Sequence, residues 1–303
     1  PAMPTASRPS AHPPAARHSA ARAPLARLLA VLTAILIAVL AGTGFASCAL
    51  PSATDDASAY AVVSRGDLQA IGNPCPMDGR YHLEADVDLS ASDWAPIGWP
   101  ARSFTGVLDG RGHEISGLHV VSQVDLGGVQ HNVVSAVGLF YALDGAEVRS
   151  LEVRDVRISD TESAAGVMGA IAGKVVGTDV TTLSDVDAYA VVAEGHRDVG
   201  GLVGRADGPL RIAATTVHGP TLRARDDHVG GLVGYGVADL SITDVLVSGA
   251  DVRADVDYAG GLVGNAFDGA VIVVGSTVTG TILAGQDTAG GLIGMVGDPD
   301  LPR

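Results

Sequence analysis

One pentapeptide set at a fixed interval constrains this chain more than any other feature. Gly200-Gly201-Leu202-Val203-Gly204 returns as Gly230-Gly231-Leu232-Val233-Gly234 and as Gly260-Gly261-Leu262-Val263-Gly264, then as Gly290-Gly291-Leu292-Ile293-Gly294, 30 residues apart each time. Other positions keep the same phase: Ile212, Ile242 and Ile272, then Leu222, Val252 and Ile282. Weaker copies lie upstream at residues 169–173 and around 137–140, at spacings of 31 and 32 residues. A repeat of this length is the signature of a solenoid, in which each unit buries its apolar face only against its neighbours.

Between the glycines the segments are short and rich in Val, Ile and Thr, as in 210–218, 239–248 and 271–279. They are too short for helix pairs and favour strands. Three strands and three turns fit one repeat. The expected fold is therefore all-β, a right-handed parallel β-helix, with equivalent residues of successive coils about 4.8 Å apart. Leu202, Leu232, Leu262 and Leu292 would form one internal ladder. The glycines would serve corners where φ is positive or where backbones approach too closely for a Cβ.

The amino terminus has a different character. Residues 1–47 hold Arg8, Arg17, Arg22 and Arg27 and no acid, and residues 28–41 are an uncharged apolar run. That run suits a signal-peptide core better than a full membrane span. Phe45-Ala46-Ser47-Cys48 follows, similar to a bacterial lipoprotein processing box, so Cys48 is a candidate for lipidation. An ordinary cleaved signal and an uncleaved anchor stay open beside it. Each reading leaves residue 49 onward outside the membrane, because the Arg-rich flank is retained inside. The chain thus divides into a signal, lipoprotein or anchor segment at 1–48, a linker at 49–59, a capping module with the first coils at 60–120, and repeats at 121–303. Only Cys48 and Cys75 are present, and a disulfide between them competes with lipidation. Beyond residue 47 the chain carries 15 basic against 34 acidic residues, a field that repels phosphate backbones, so no nucleic-acid partner is expected.

The Gly-Gly-Leu-Val-Gly repeats resemble the GLUG motif of bacterial surface proteins, found in adhesins and in the β-helical, non-catalytic region of IgA-specific metallopeptidases. A stretch upstream is similar to the leading module of such proteins. It runs Tyr81-His82-Leu83-Glu84-Ala85-Asp86-Val87-Asp88-Leu89-Ser90, then Trp94-Ala95-Pro96-Ile97-Gly98, then from Phe104 through Asp109-Gly110-Arg111-Gly112 to Leu118. The resemblance implies a β-helix opened by a short capping helix, here at residues 66–71, and covers about residues 60–297. It implies architecture and not activity, since fold does not fix function.

The search for chemistry returns little. His113-Glu114 begins a metallopeptidase pattern, but Gly117 stands where the second His is required. There is no Gly-x-Ser-x-Gly, no phosphate loop and no C-x-x-C, so neither a catalytic residue nor a cofactor is expected. Asp227, Asp257 and Asp287 each precede a Gly-Gly pair by three residues, and stacking would line them along one edge. They are weak candidates for a divalent cation; solvated turn residues are the plainer reading. Asp86, Asp88 and Asp109 read as turn and capping acceptors. Trp94 and Trp99 read as packing of the first coil, with a sugar-stacking platform as the alternative.

The leading expectation is a cell-surface or secreted binding or scaffold protein, adhesin-like, with an extracellular protein or glycan as partner and the membrane reached through the amino-terminal segment. The alternatives are the non-catalytic part of an IgA-type metallopeptidase or a glycan-active β-helix. Residues 295–303 after the last motif are short for a coil, so a continuing chain or a covering partner is expected.

Overall fold

The computed structural model describes Cys48 and residues 59–121, 123–125, 130–132, 136–159 and 166–297. All belong to the compact unit Ala46–Arg303. The apolar run at 28–41, Phe45, Ala46 and Ser47, and the tail prolines Pro299 and Pro302 lie outside the described residues.

Three sheets of parallel strands stack into a solenoid. One holds seven short strands, from Ser103–Phe104 to Ile293–Val296, which sets seven levels. A second is built from the two-residue strands Ala136–Val137, Val167–Met168, Val199–Gly200, Val229–Gly230, Ala259–Gly260 and Ala289–Gly290. The third contains long strands such as Thr181–Gly195 and Leu240–Ala254. Inward and outward side chains alternate along Leu240–Ala254, as a half-buried strand requires, except for two successive outward positions at Thr243-Asp244 and at Ser248-Gly249. An antiparallel hairpin, Gln123–Asp125 with Gln130–Asn132, interrupts the repeat region.

The motif glycines owe their place to close approach and not to positive φ. A Cβ on Gly200 would lie 1.9 Å from Val203 O within its own corner, and one on Gly201 would lie 2.1 Å from Gly231 O of the next coil. The left-handed residues sit elsewhere, two per coil and five apart: Ser150 and Asp155, Asp185 and Ala190, Ala214 and Gly219, Asp244 and Gly249. Most of them bend a long strand that runs on through them, whereas at Gly219 the strand breaks between Leu210–His218 and Thr221–Ala224. Bends of this kind suit short polar residues and glycine.

The ladders form as expected with two corrections, at Ile272 and at Leu292, which is 42% exposed on the last described level. Leu202, Leu232 and Leu262 are fully buried. Ile212 pairs with Ile242, but Ile242 pairs with Val273, while Ile272 pairs with Ser241 and is 57% exposed. The turn before Val271 carries one residue more than its predecessor, and the surplus is returned between Val247 and Ala250, where Val252 regains Ile282.

The helix caps the first level at Arg65–Ala70. Ser64 accepts from Asp67 N, and Asp67 Oδ2 accepts in return from Val63 N and from Ser64 Oγ. This reciprocal cap fixes the start of so short a helix. Leu68 and Ala70 face the core. Behind the helix, Trp94 is fully buried and donates from Nε1 to Leu139 O at 3.0 Å.

Cys48 and Cys75 are joined in a disulfide, with Cα atoms 5.4 Å apart. A sulfur bound in a disulfide is not available for acylation, so the lipidation expectation for Cys48 is corrected in favour of the pairing.

Candidate functional site

The richest polar cluster lies on the turn that precedes each Gly-Gly pair. Stacking brings residues 30 apart into contact, so the row Arg197, Asp227, Asp257, Asp287 runs along one edge. The expected carboxylate ladder therefore exists, with a cation at its head that sequence reasoning overlooked. Arg197 Nε donates to Asp227 Oδ2 at 2.6 Å. Next in the row, the Asp257 carboxyl is held above the usual carboxylate range. Partial burial is the main cause, followed by the Asp227 charge, a hydrogen bond with Asp227 and the Asp287 charge. The pair repels unless a proton lies between them.

The adjacent row is Asp198, His228, Tyr258. Asp198 and Tyr258 are buried, and the His228 side chain is nearly so. His228 Nδ1 lies 2.8 Å from Asp198 Oδ1, and Asn265 Nδ2 lies 3.3 Å from His228 Nε2. A tautomer with Nδ1–H donating to Asp198 and Nε2 accepting from Asn265 satisfies both ring nitrogens. The ring stacks between Tyr235, at 4.4 Å, and Tyr258, at 5.6 Å. Arg205 sits over Tyr235 at 4.7 Å, donates from Nε to Asp207 Oδ1, and brings Nη1 within 3.5 Å of Asp198 Oδ2. Asn265 Oδ1 is buried with no hydrogen-bond partner among the described residues.

Asp198, Asp227 and His228 place three donor atoms within 4.8 Å of one another, enough in number and kind to approach a divalent cation. The surroundings oppose it. Arg197 and Arg205 already balance the two carboxylates, and a metal ion would share their space with two guanidiniums. The cluster reads as a polar seam that ties four coils together, charge-compensated at its Arg197 and Arg205 end. Of the three sequence candidates, Asp227 and Asp257 enter it, and Asp287 touches only its lower end. Asp198 and His228 keep the same 30-residue phase one position later, a signal hidden by the change of residue type along the row.

The remaining sequence candidates are framework. Asp86 Oδ1 accepts from Glu114 N and faces His113 Nδ1 at 3.1 Å, which lowers its carboxyl below the usual range. Asp88 Oδ1 accepts from Ser90 N, and Asp109 accepts from Arg111 N and Arg149 Nε. Glu114 lies in a strand and His119 pairs with Asp93, so no paired-histidine helix forms there.

These features define the class of the protein: a parallel β-solenoid of glycine-cornered coils with stacked polar rows on its turns. No protein-family model matches the chain. It is similar to halomucin of Haloquadratum walsbyi (strain DSM 16790 / HBSQ001), 36% identical over 163 residues. That match takes in 50% of this chain and only 2% of the length of halomucin. Among solved structures it is similar to a candidate immunoglobulin A1 protease from Bacteroides ovatus, with a TM-score of 0.43 and 14% identity over 80% of this chain and 85% of that one.

Proposed function

We propose that this chain is an exported binding scaffold of the cell surface, in which the solenoid displays side chains to an extracellular protein or glycan and performs no catalysis. The observation that carries the reading is the stacked polar seam. Its pairs, Arg197 with Asp227 and Arg205 and His228 with Asp198, rigidify the edge, and within the seam no Ser or Cys lies beside a base. The Cys48–Cys75 disulfide supports an oxidising compartment, and the match to halomucin supports a surface location. The glycine pentapeptides support kinship with GLUG-motif surface proteins, and the segment at 1–47 is the membrane-directing part.

The test is protease treatment of intact bacteria that produce the full chain with a carboxy-terminal tag. Digestion of the tagged solenoid from outside is expected. Protection in intact cells with digestion only after lysis would overturn an exported scaffold.

A further inference from the structure

A cleft of 400 Å³ lies in the capping module, away from the polar seam in sequence, between two tight turns. One turn holds Gly72 and Asn73, and the other runs from Pro96 to Arg102. Its floor and sides are Ile71, Pro96 and the half-buried ring of Trp99, with Gln69, Asn73 and Arg102 at the polar margin. The lining is mixed and somewhat more polar than apolar, with backbone and side-chain polar groups converging around one indole ring.

Three observations give the cleft a chemistry. First, the turns are locked together. Arg102 Nη1 donates to Gly72 O at 2.5 Å, Arg102 N donates to Gly98 O, and Gly72 N donates to Cys75 O beside the disulfide. A Cβ on Gly98 would lie 2.2 Å from Arg102 O, so that turn admits only glycine there. The cleft is therefore preorganised, which lowers the entropy cost of binding. Second, among the described residues Arg102 is the only charged group lining the cleft, in a chain with 34 acidic residues. Seven other arginines (149, 154, 197, 205, 223, 225 and 253) are held by Asp or Glu, whereas Arg102 is tethered by a carbonyl and, among the described residues, makes no ion pair with a carboxylate. Third, Trp99, half-buried and packed against the Tyr141–Ala142 cluster, also lines the cleft on the same turn as that charge. Flat apolar faces and hydroxyls belong to pyranose rings, and a guanidinium fork matches a carboxylate.

We infer that this cleft binds an acidic sugar of the uronic acid type, its ring face on Trp99, its carboxylate on Arg102 and its hydroxyls toward Gln69 and Asn73. The inference stands independently of export, since binding to the purified chain does not depend on where the protein resides.

The experiment uses the full chain and a matched pair of probes, methyl β-D-glucuronide and methyl β-D-glucoside, which differ in a carboxylate against a hydroxymethyl group. The chain has two tryptophans, and Trp94 is buried away from solvent, so ligand-induced changes in indole emission report on Trp99. Saturable quenching by the glucuronide is expected, with the glucoside weaker by roughly tenfold to a hundredfold, the range for a hydrogen bond to a charged group. Arg102→Gln abolishes that preference while keeping the wild-type melting temperature, and Trp99→Phe weakens both probes. Equal response to the two probes, no response to either, or an unchanged preference in Arg102→Gln would overturn the inference. If Arg102→Gln fails to fold, the probe comparison on the wild-type chain decides alone.

Discussion

The third and fourth copies of the pentapeptide are nearly identical in sequence and opposite in surroundings. Leu262 is fully buried between coils, whereas Leu292, on the last described level, is 42% exposed. The two glycines of each pair respond differently to the change. A Cβ on Gly260 or on Gly290 meets the carbonyl of its own corner, at 1.8 Å from Val263 O and 1.7 Å from Ile293 O. A Cβ on Gly261 would meet Gly291 O at 2.1 Å, but one on Gly291 meets nothing within 4 Å. The first glycine is required by the coil itself, and the second by the coil stacked upon it. One short motif therefore encodes a local bend and a contact between repeats, and the last level separates the two demands.

The largest test of this difference is charge insertion. Leu232→Asp should lower stability by several kcal/mol, because an unpaired carboxylate enters a sealed ladder. Leu292→Asp, on a half-exposed surface, should cost less than about 1 kcal/mol. Urea unfolding of the two variants would show a large gap; similar midpoints would break the assigned ladder. A smaller effect is expected from alanine at the second glycine. Gly231→Ala should cost about 1–3 kcal/mol through overpacking against Gly261 O, and Gly291→Ala should stay within about 0.5 kcal/mol of wild type. Thermal melts that rank these two in the reverse order would show that the corner, not the stacked neighbour, sets the requirement.

The smallest effect concerns the polar seam. The Asp257 carboxyl is raised in the folded state, so it favours folding when protonated and opposes it once ionised. Its penalty is absent below the ordinary carboxylate range and complete once pH passes above the raised value. In thermal melts, Asp257→Asn should therefore stabilise the fold at pH 7 by less than about 1 kcal/mol, since the group is only partly buried and solvent screens much of the repulsion. The gain should vanish at pH 3. A stabilisation that grew toward acid would reverse the sign and remove the Asp227–Asp257 repulsion from the account.

The solenoid was legible because a stacked coil leaves the same mark in every repeat. Leu202, Leu232 and Leu262 announced a shared inward position, and Asp227, Asp257 and Asp287 a shared turn. The partners of those carboxylates were harder to see. Arg197 and His228 occupy the same phase with different residue types, so only the assumption of stacking, carried through every position, would have revealed the pairs. The bends at Ala190 and Ala214 were invisible, since alanine carries no turn signal and adopts a left-handed conformation only under constraint from its neighbours. The cleft at Trp99 was half visible. Its tryptophan stood out, but the closure of two distant turns by Arg102 and Gly72 is a tertiary fact.

The slip that moves Ile272 to the outside and installs Val273 in its place has a broader meaning. Along one inward row, from Leu108 through Val148, Leu183, Ile212 and Ile242 to Val273, the step from coil to coil is 40, 35, 29, 30 and 31 residues. The spacing in space hardly changes while the spacing along the chain does. Each turn acts as slack in a rope wound on a fixed drum: extra length hangs outside, and the next winding begins in register. Insertions and deletions in such a chain are local events that leave the rest of the winding undisturbed. A lineage that carries this fold is free to lengthen its turns one at a time, trying new surface loops while the buried rows stay as they were.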